Sequence, residues 1–411
     1  MSLSSSAATV LADLDATREA REALYIHFHQ HPELSLQEYE TSARIREELE
    51  KRGIDVQTVG KTGLVATIAN GEGPIVAMRA DIDGLPMKEV SGKEYASTAT
   101  QVNEATGVDT PVAHSCGHDV HIMGLLGALE AFHTHRDAWS GTFIGVFQPA
   151  EETAAGAQDM VDNGIADVMP KPDVYLGQHV MATLPGGHLG TRPGGILTAA
   201  KSIKVTVHGT GSHGSMPNLG VDPIVLGSAI VMRLQTIVSR EISSMDPAVV
   251  TVGAFHAGSK SNIIGDSAEL LLNTRAYDTD VEKQLHEAIE RIVRAECQAS
   301  RSPKEPEFEY YDVFPLTDND ETATGIVRAA FDENFAGEVI DSPPLPASED
   351  FSIIPNHLDV PYVFWTLGGF NDLSEAIGNH NPAFAPDMQP TLDRGVEAIV
   401  VAAGAWLFPK N

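Results

Sequence analysis

Two cysteines in 411 residues, Cys116 and Cys297, are too few for a disulfide framework, so no covalent staple organises this chain. Basic residues are scarce as well: 27 Lys and Arg stand against 57 Asp and Glu, a formal net charge of −30. Such a surface repels a phosphate backbone or an anionic membrane, and the acidity reads as solvated surface rather than as an acidic tail. Neither nucleic acid nor a membrane is therefore an expected partner. No apolar run approaches the ~20 residues of a membrane-spanning helix. Residues 1–20 lack the basic start and apolar core of a secretory signal, and the very first are expected to fray. A reducing compartment, the cytoplasm, suits the thiols. Internal repeats, heptad arrays and low-complexity tracts are missing too.

What is present is ample for large cores: 42% of residues are hydrophobic, and the length exceeds one ordinary core, so two domains are expected. Apolar residues recur at helical spacing over 11–30 and 38–52, with Pro32 ending the first helix. β-rich runs at 64–68 and 75–80 flank the turn Asn70-Gly71-Glu72-Gly73-Pro74 and read as a hairpin. A helix over 119–133, capped by Asp119, and strands at 142–148 and 174–180 continue an α/β pattern. Near residue 193 a turn-rich linker opens a second unit. Its strands (201–208, 249–255, 267–276, 307–313) and helices (222–240, 279–299) run β-α-β-β-α-β, which predicts an inserted α+β domain of ferredoxin-like order over 193–315. Segments 1–192 and 316–411 then form the first domain, the latter with a helix over 322–335, a strand in 361–368 and a helix over 391–407.

Chemistry gathers at strand ends. Ser115-Cys116-Gly117-His118-Asp119-Val120-His121 puts a thiol and an imidazole two positions apart where a helix begins. That pair suits a borderline-soft cation such as zinc; it also suits a Cys nucleophile with a His base, or a buried Cys beside a core His. Asp81 and Asp83 emerge where another strand ends. Glu151 and Glu152 follow the strand at 142–148, one able to bind metal while its neighbour acts as a base, a surface acidic pair being the plain alternative. His179 ends the strand at 174–180, and His380 sits in the polar loop Gly378-Asn379-His380-Asn381-Pro382. Cys116, His118, Glu152, His179 and His380 thus fall in loops after strands of one domain. Five such donors exceed what one tetrahedral ion takes and point to two ions about 3.5 Å apart, with Glu151 placed to deprotonate water. In the second unit His213, Asn262 and Arg275 stand out, an ordinary surface ion pair being the alternative for Arg275. His208 and His256 read as structural.

Taken in order, HPELSLQEYET, RADIDGLP, SCGHDVH, PAEE, GQHV, GTGSHGSMPNLGVDPI, SEDFS and GNHNP resemble the aminoacylase/carboxypeptidase family of di-metal amidohydrolases over nearly the whole chain. Within it they are most similar to the branch of hippurate hydrolases, N-acyl-amino-acid amidohydrolases and indole-acetyl-amino-acid hydrolases. The resemblance implies a mixed-sheet α/β hydrolase domain with an inserted lid, and two divalent ions, zinc first with manganese or cobalt as alternatives. It implies Cys116, His118, Glu152, His179 and His380 as ligands, with Cys116 bridging, and Glu151 as general base and later proton donor to the leaving amine. His213 would stabilise the oxyanion, in its own or a partner subunit, while Asn262 and Arg275 would hold the substrate carboxylate. The lid implies a homodimer.

The implied reaction is hydrolysis of an N-acyl-L-amino acid with an apolar acyl group, acylglutamine among the candidates. A dipeptidase or carboxypeptidase on the same ions, and a non-catalytic metal-binding sensor, are the competing readings. Two positions depart from the pattern. Met388 stands where many relatives carry an acidic residue, and Arg79 and Asp81 occupy the place where dipeptidase-like branches put a metal-binding His-x-Asp. Asp81 is therefore expected to support ligands rather than to be one.

Overall fold

The computed structural model describes residues 3–409. In chain order it forms α1 (Leu3–Val10), α2 (Arg18–Gln30), α3 (Tyr39–Lys51), β1 (Asp55–Val59), β2 (Gly63–Asn70), β3 (Ile75–Asp81), α4 (His118–Thr134), β4 (Gly141–Gln148), β5 (Val174–Pro185) and β6 (Leu189–Thr191). There follow β7 (Ala199–His208), α5 (Pro223–Arg240), β8 (Ala248–Ala257), β9 (Ser267–Ala276), α6 (Thr279–Ala299) and β10 (Glu307–Phe314). The chain ends with α7 (Glu321–Asn334), β11 (Val339–Asp341), β12 (Tyr362–Phe370) and α8 (Met388–Leu407), shorter pieces aside. Two units divide it: Met1–Ile196, Asp318–Pro344 and Asp350–Asn411 make the first, and Leu197–Thr317 with Leu345–Glu349 the second.

The first unit is built on a mixed eight-stranded sheet of order β1-β2-β4-β3-β5-β12-β6-β11. Its centre is parallel: β4 with β3, β3 with β5, and β5 with β12. Strands covered on both faces carry near-continuous apolar runs, and every residue of β12 is buried. Shared direction puts the carboxyl ends of β3, β4 and β5 on one edge of the sheet, where open α/β folds place their chemistry. α4 and α8 pack together on the sheet, burying Leu125, Leu129, Phe132 and Ile399 against Phe143 and Phe147.

Three local expectations are corrected. β2 and β3 form no hairpin, because β4 lies between them, antiparallel to β2 and parallel to β3. Turn residues at 70–74 fix only that the chain reverses; the partner is chosen by burial, and β4 offers each strand an apolar neighbour over seven paired positions. Helix does not run from 11 to 30. α1 is helical from Leu3, where fraying was expected, and buries Ala7 and Val10; Met1 and Ser2 lie outside the described residues, and turns lead from α1 into α2. Finally, Gly117 and not Asp119 stands at the start of α4, and the Asp119 carboxylate turns instead to His29 Nδ1 at 2.6 Å.

The second unit has an antiparallel sheet of order β8-β9-β7-β10. α5 and α6 bury Leu226, Ile230, Leu285 and Ile289 against Ile203, Val205, Leu270 and Leu272. Both helices start on a capping aspartate: Asp222 accepts from Ile224 and Val225 N–H, and Asp278 from Asp280 and Val281 N–H. Among the described residues, no helix is long and apolar enough to cross a membrane.

Candidate metal and catalytic site

Four segments of the first unit meet at the sheet edge and bring five donors together. Cys116 Sγ lies 3.4 Å from His179 Nε2, and the Cys116, His118 and Glu152 ligand atoms are all within 4.8 Å of one another. Glu152 reaches His380 Nε2 at 3.3 Å and His118 Nε2 at 3.8 Å. Cys116 therefore faces both the His179 side and the His118–Glu152 side. Glu151, buried, approaches His118 Nε2 at 4.0 Å. His118 opens α4 and His179 lies inside β5, so these two sit on helix and strand rather than in loops.

Two of the three imidazoles are oriented from behind. His118 Nδ1 faces Asp83 Oδ1 at 3.1 Å, and His179 Nδ1 donates to the Val180 carbonyl at 2.8 Å. Each second nitrogen is thereby turned toward the cluster, the usual way a histidine is presented to a metal. His118 Nε2 is buried and makes no hydrogen bond among the described residues. That nitrogen, 3.3 Å from Asp81 Oδ2 and otherwise amid sulfur, imidazole and carboxylate, fits a borderline-soft dication. Burial, then the Glu152 charge, push the Cys116 thiol up to about 12. Burial works against protonating His118, yet Asp81 and its other neighbours raise it well above the ordinary range. Both protons must leave before sulfur and nitrogen can bind a cation. Without a cation beside it, Cys116 is a thiol at neutral pH and a poor nucleophile.

The segments that carry these residues are laced by backbone contacts. His380, at φ 64, donates its N–H to the Ser115 carbonyl at 2.8 Å. Asn379 Nδ2 spans the Cys116 and Val180 carbonyls at 3.2 and 3.0 Å. A model of peptidase family M20/M25/M40 matches residues 77–403. The chain belongs to this family.

A Bacillus subtilis (strain 168) protein named N-acetyl-L-cysteine deacetylase is 35% identical to this M20 chain over 384 residues, 93% of this chain and 85% of that one. An Arabidopsis thaliana protein named IAA-amino acid hydrolase ILR1-like 4 is 34% identical over 342 residues, 80% of this chain and 74% of that one. Among solved structures, the Bacillus subtilis YXEP protein, described as a dinuclear metal binding peptidase from the M20 family, matches with a TM-score of 0.79 at 27% identity. That match covers 95% of this chain and 98% of the other.

Behind the donors of this M20 hydrolase lies a layer that sequence reasoning largely missed. Arg79 is wholly buried and bonds Asp81 Oδ2 at 2.7 Å, Gln148 Oε1 at 3.0 Å and Asp350 Oδ1 at 3.4 Å. Asp81 also receives His121 Nδ1, and His121 Nε2 accepts the Val180 N–H at 2.8 Å. Burial opposes ionisation of Asp81, but Arg79, His118 and His121 outweigh it and hold the carboxyl well below its usual range. In the sequence His121 stands out only as part of the Cys-His stretch; its spacing from His118, one helical turn, is the available signal. Deeper still, His29 sits between Asp119 and Glu89 at 2.6 and 3.1 Å. Burial alone would lower its pKa, but the two hydrogen-bonded carboxylates raise it to about 10, so an imidazolium clamps the start of α4. Met388 packs against the apolar core.

In the second unit His213 is exposed beside the Asn262 loop: His213 pairs with Ile263, and Gly214 N–H donates to the Asn262 carbonyl at 2.8 Å. His213 Nδ1 accepts the Ser215 N–H at 3.2 Å, which leaves the ring proton on Nε2. Arg275 Nη1 is held by Ser348 Oγ at 2.8 Å and the Pro346 carbonyl at 3.3 Å.

Proposed function

We propose that this M20 hydrolase is a metal-dependent amidohydrolase that cleaves N-acyl-L-amino acids with an apolar acyl group into a carboxylic acid and a free amino acid. One observation carries the reading: Glu151 is buried beside the donors while its neighbour Glu152 faces His118 and His380. A purely structural metal site has no use for a second carboxylate there. Two divalent ions, zinc in first place and manganese or cobalt next, would be held by Cys116, His118, Glu152, His179 and His380. When bound they would supply Lewis acidity to the amide carbonyl and to water.

The remaining steps belong to the chain. Glu151 takes a proton from the attacking water on its carboxylate and passes it to the leaving amine nitrogen. His213, protonated on Nε2, donates to the oxygen that gains negative charge. Arg275 offers a planar fork, and Asn262 an amide, to the carboxylate of the amino-acid half. A dipeptidase on the same ions would further need an acceptor for an α-ammonium. Relatives named for N-acetyl-L-cysteine deacetylation and IAA-amino acid hydrolysis point to the blocked substrate.

The proposed setting is the cytoplasm, where Cys116 and Cys297, both buried and unpaired, stay reduced. A homodimer through the second unit is supported by β8, an edge strand presenting Val249 and Phe255, and by Val225 and Met232 exposed on α5. The deciding experiment is a turnover screen of N-acyl amino acids, varying both halves and starting with acylglutamines, on protein of measured zinc and manganese content. Hydrolysis of acetylated but not unblocked dipeptides is expected; the reverse preference would overturn the reading in favour of a dipeptidase. Chelation with the thiols kept reduced should abolish turnover, and survival would point to a Cys116 enzyme instead.

A further inference from the structure

Glu38 stands at the start of α3, wholly buried, where a short side-chain acceptor such as Asp or Ser ordinarily bonds the first N–H groups of its own helix. Its side chain makes no such bond. Glu38 Oε1 instead accepts the Ala150 N–H at 2.9 Å, across 112 residues of chain, and the Leu36 N–H at 2.9 Å. Oε2 accepts the Thr62 hydroxyl at 2.7 Å. Both backbone donors are non-glycine residues in the left-handed region, Leu36 at φ 59 and Ala150 at φ 48. That conformation costs an L-residue roughly 1–2 kcal/mol and persists only where the surroundings over-determine it.

At Ala150 the strain sits at one consequential place. The left-handed residue turns the chain out of β4 and straight into Glu151 and Glu152. The far side of that turn is pinned as well: Asp83 Oδ2 accepts the Glu152 N–H at 3.1 Å and the Ser35 hydroxyl at 2.7 Å. Two acidic side chains from the amino-terminal third, Glu38 and Asp83, thus grip the turn by its main chain, and both glutamate side chains approach the donor cluster.

We propose that Glu38 is a positioning residue for hydrolysis: by holding the Ala150 N–H it fixes the left-handed turn that aims Glu151 and Glu152. The proposal rests on reading Glu151 as the base. A displacement of about 1 Å at a reacting group costs on the order of 10²-fold in rate, and Glu38 is what prevents it here. Glutamine preserves the acceptor at Oε1 and can donate to the Thr62 oxygen, whereas aspartate is a methylene too short to reach Ala150.

The test uses the metal-loaded full chain and its Glu38→Gln, Glu38→Asp, Glu38→Ala and Glu151→Gln variants. The substrate is the N-acetyl amino acid that the parent turns over best, and hydrogen exchange is followed on the 149–155 peptide. Glu38→Gln should stay within about threefold of the parent, while Glu38→Asp and Glu38→Ala lose on the order of 10²-fold in kcat with little change in KM. Both metal equivalents should remain, and exchange should quicken at 149–155 alone. If Glu38→Ala fails to fold, Glu38→Asp decides by the same criteria. A Glu38→Asp kcat near the parent's, a loss confined to KM, a Glu38→Gln as impaired as Glu38→Asp, or exchange that quickens throughout would each overturn the proposal. Turnover surviving in Glu151→Gln would sink the base assignment itself; an inactive Glu151→Gln beside an unimpaired Glu38→Asp would sink Glu38 alone.

Discussion

One methyl group on Gly117 should dislodge most of the donor set. Gly117 stands between Cys116 and His118 at φ 86, and a Cβ built there would lie 2.3 Å from Val180 Cγ1 and 3.3 Å from Phe384 Cε1. The left-handed backbone alone costs an alanine ~1–2 kcal/mol. Carbon atoms rest ~3.5–4.0 Å apart, so the methyl group or Val180 must give by more than an ångström. Val180 yields badly: it is β-branched, wholly buried and tied through its N–H to His121. Overpacking of that kind adds ~1–3 kcal/mol, for a sum of about 2–5 kcal/mol in Gly117→Ala. The shift falls on Cys116, His118 and His179 together, since Val180 follows His179 in β5. All three tryptophans, Trp139, Trp365 and Trp406, lie in the first unit, so their fluorescence during urea unfolding of chelator-treated protein reports on that unit. Elemental analysis after dialysis against limiting zinc reads the ligand set. Gly117→Ala should lower both stability and metal content. Adding Val180→Ala should return the packing part, so the two changes should couple by ~1–3 kcal/mol. A loss under ~1 kcal/mol with full metal content, or strict additivity, would refute the steric argument.

Other outcomes follow from the same geometry. Cys116→Ser should lower the metal content of the purified protein, and unchanged content would count against ligation. His213→Ala should cut turnover by ~10²–10³-fold, the cost of one oxyanion donor, while metal content stays at the parent level; normal turnover would remove that role. Arg79→Met deprives Asp81 and Asp350 of their buried cation and should cost ~3–5 kcal/mol in urea unfolding, so a loss below ~1 kcal/mol would show that the carboxylates do not depend on it.

That Cys116, His118, Glu151, Glu152, His179 and His380 come together was legible because each follows from a local rule. Strand periodicity located β3, β4 and β5, and parallel strands present their carboxyl ends on one edge. What the chain order concealed were contacts with no local signature. Glu38 meets Ala150 across 112 residues, His29 meets Asp119 across 90, and Arg79 meets Asp350 across 271. The same holds for β4, which no turn signal could insert between β2 and β3, and for Leu345–Glu349, which leaves the first unit for the second.

The acidity misled for a different reason. A surplus of carboxylates reads correctly as a solvated surface when counted, yet Glu38, Asp81, Asp83, Glu89, Asp119 and Asp350 are all buried. A buried carboxylate is tolerated only where cations or N–H groups meet it. Asp81 and Asp350 have Arg79, Glu89 and Asp119 have His29, and Asp83 has His118 and a backbone N–H; Glu38, with two backbone N–H groups and no cation, is pushed up to about 8 by burial and by the Asp83 charge. These few residues are a small minority of the acidic set, so composition averages them away. They also stand behind the donor cluster, where a shift of one carboxylate moves an imidazole. Net charge therefore describes what the outer surface repels, while the aim of His118 and the placing of the Glu152 backbone depend, through Asp83, on the minority that left that surface.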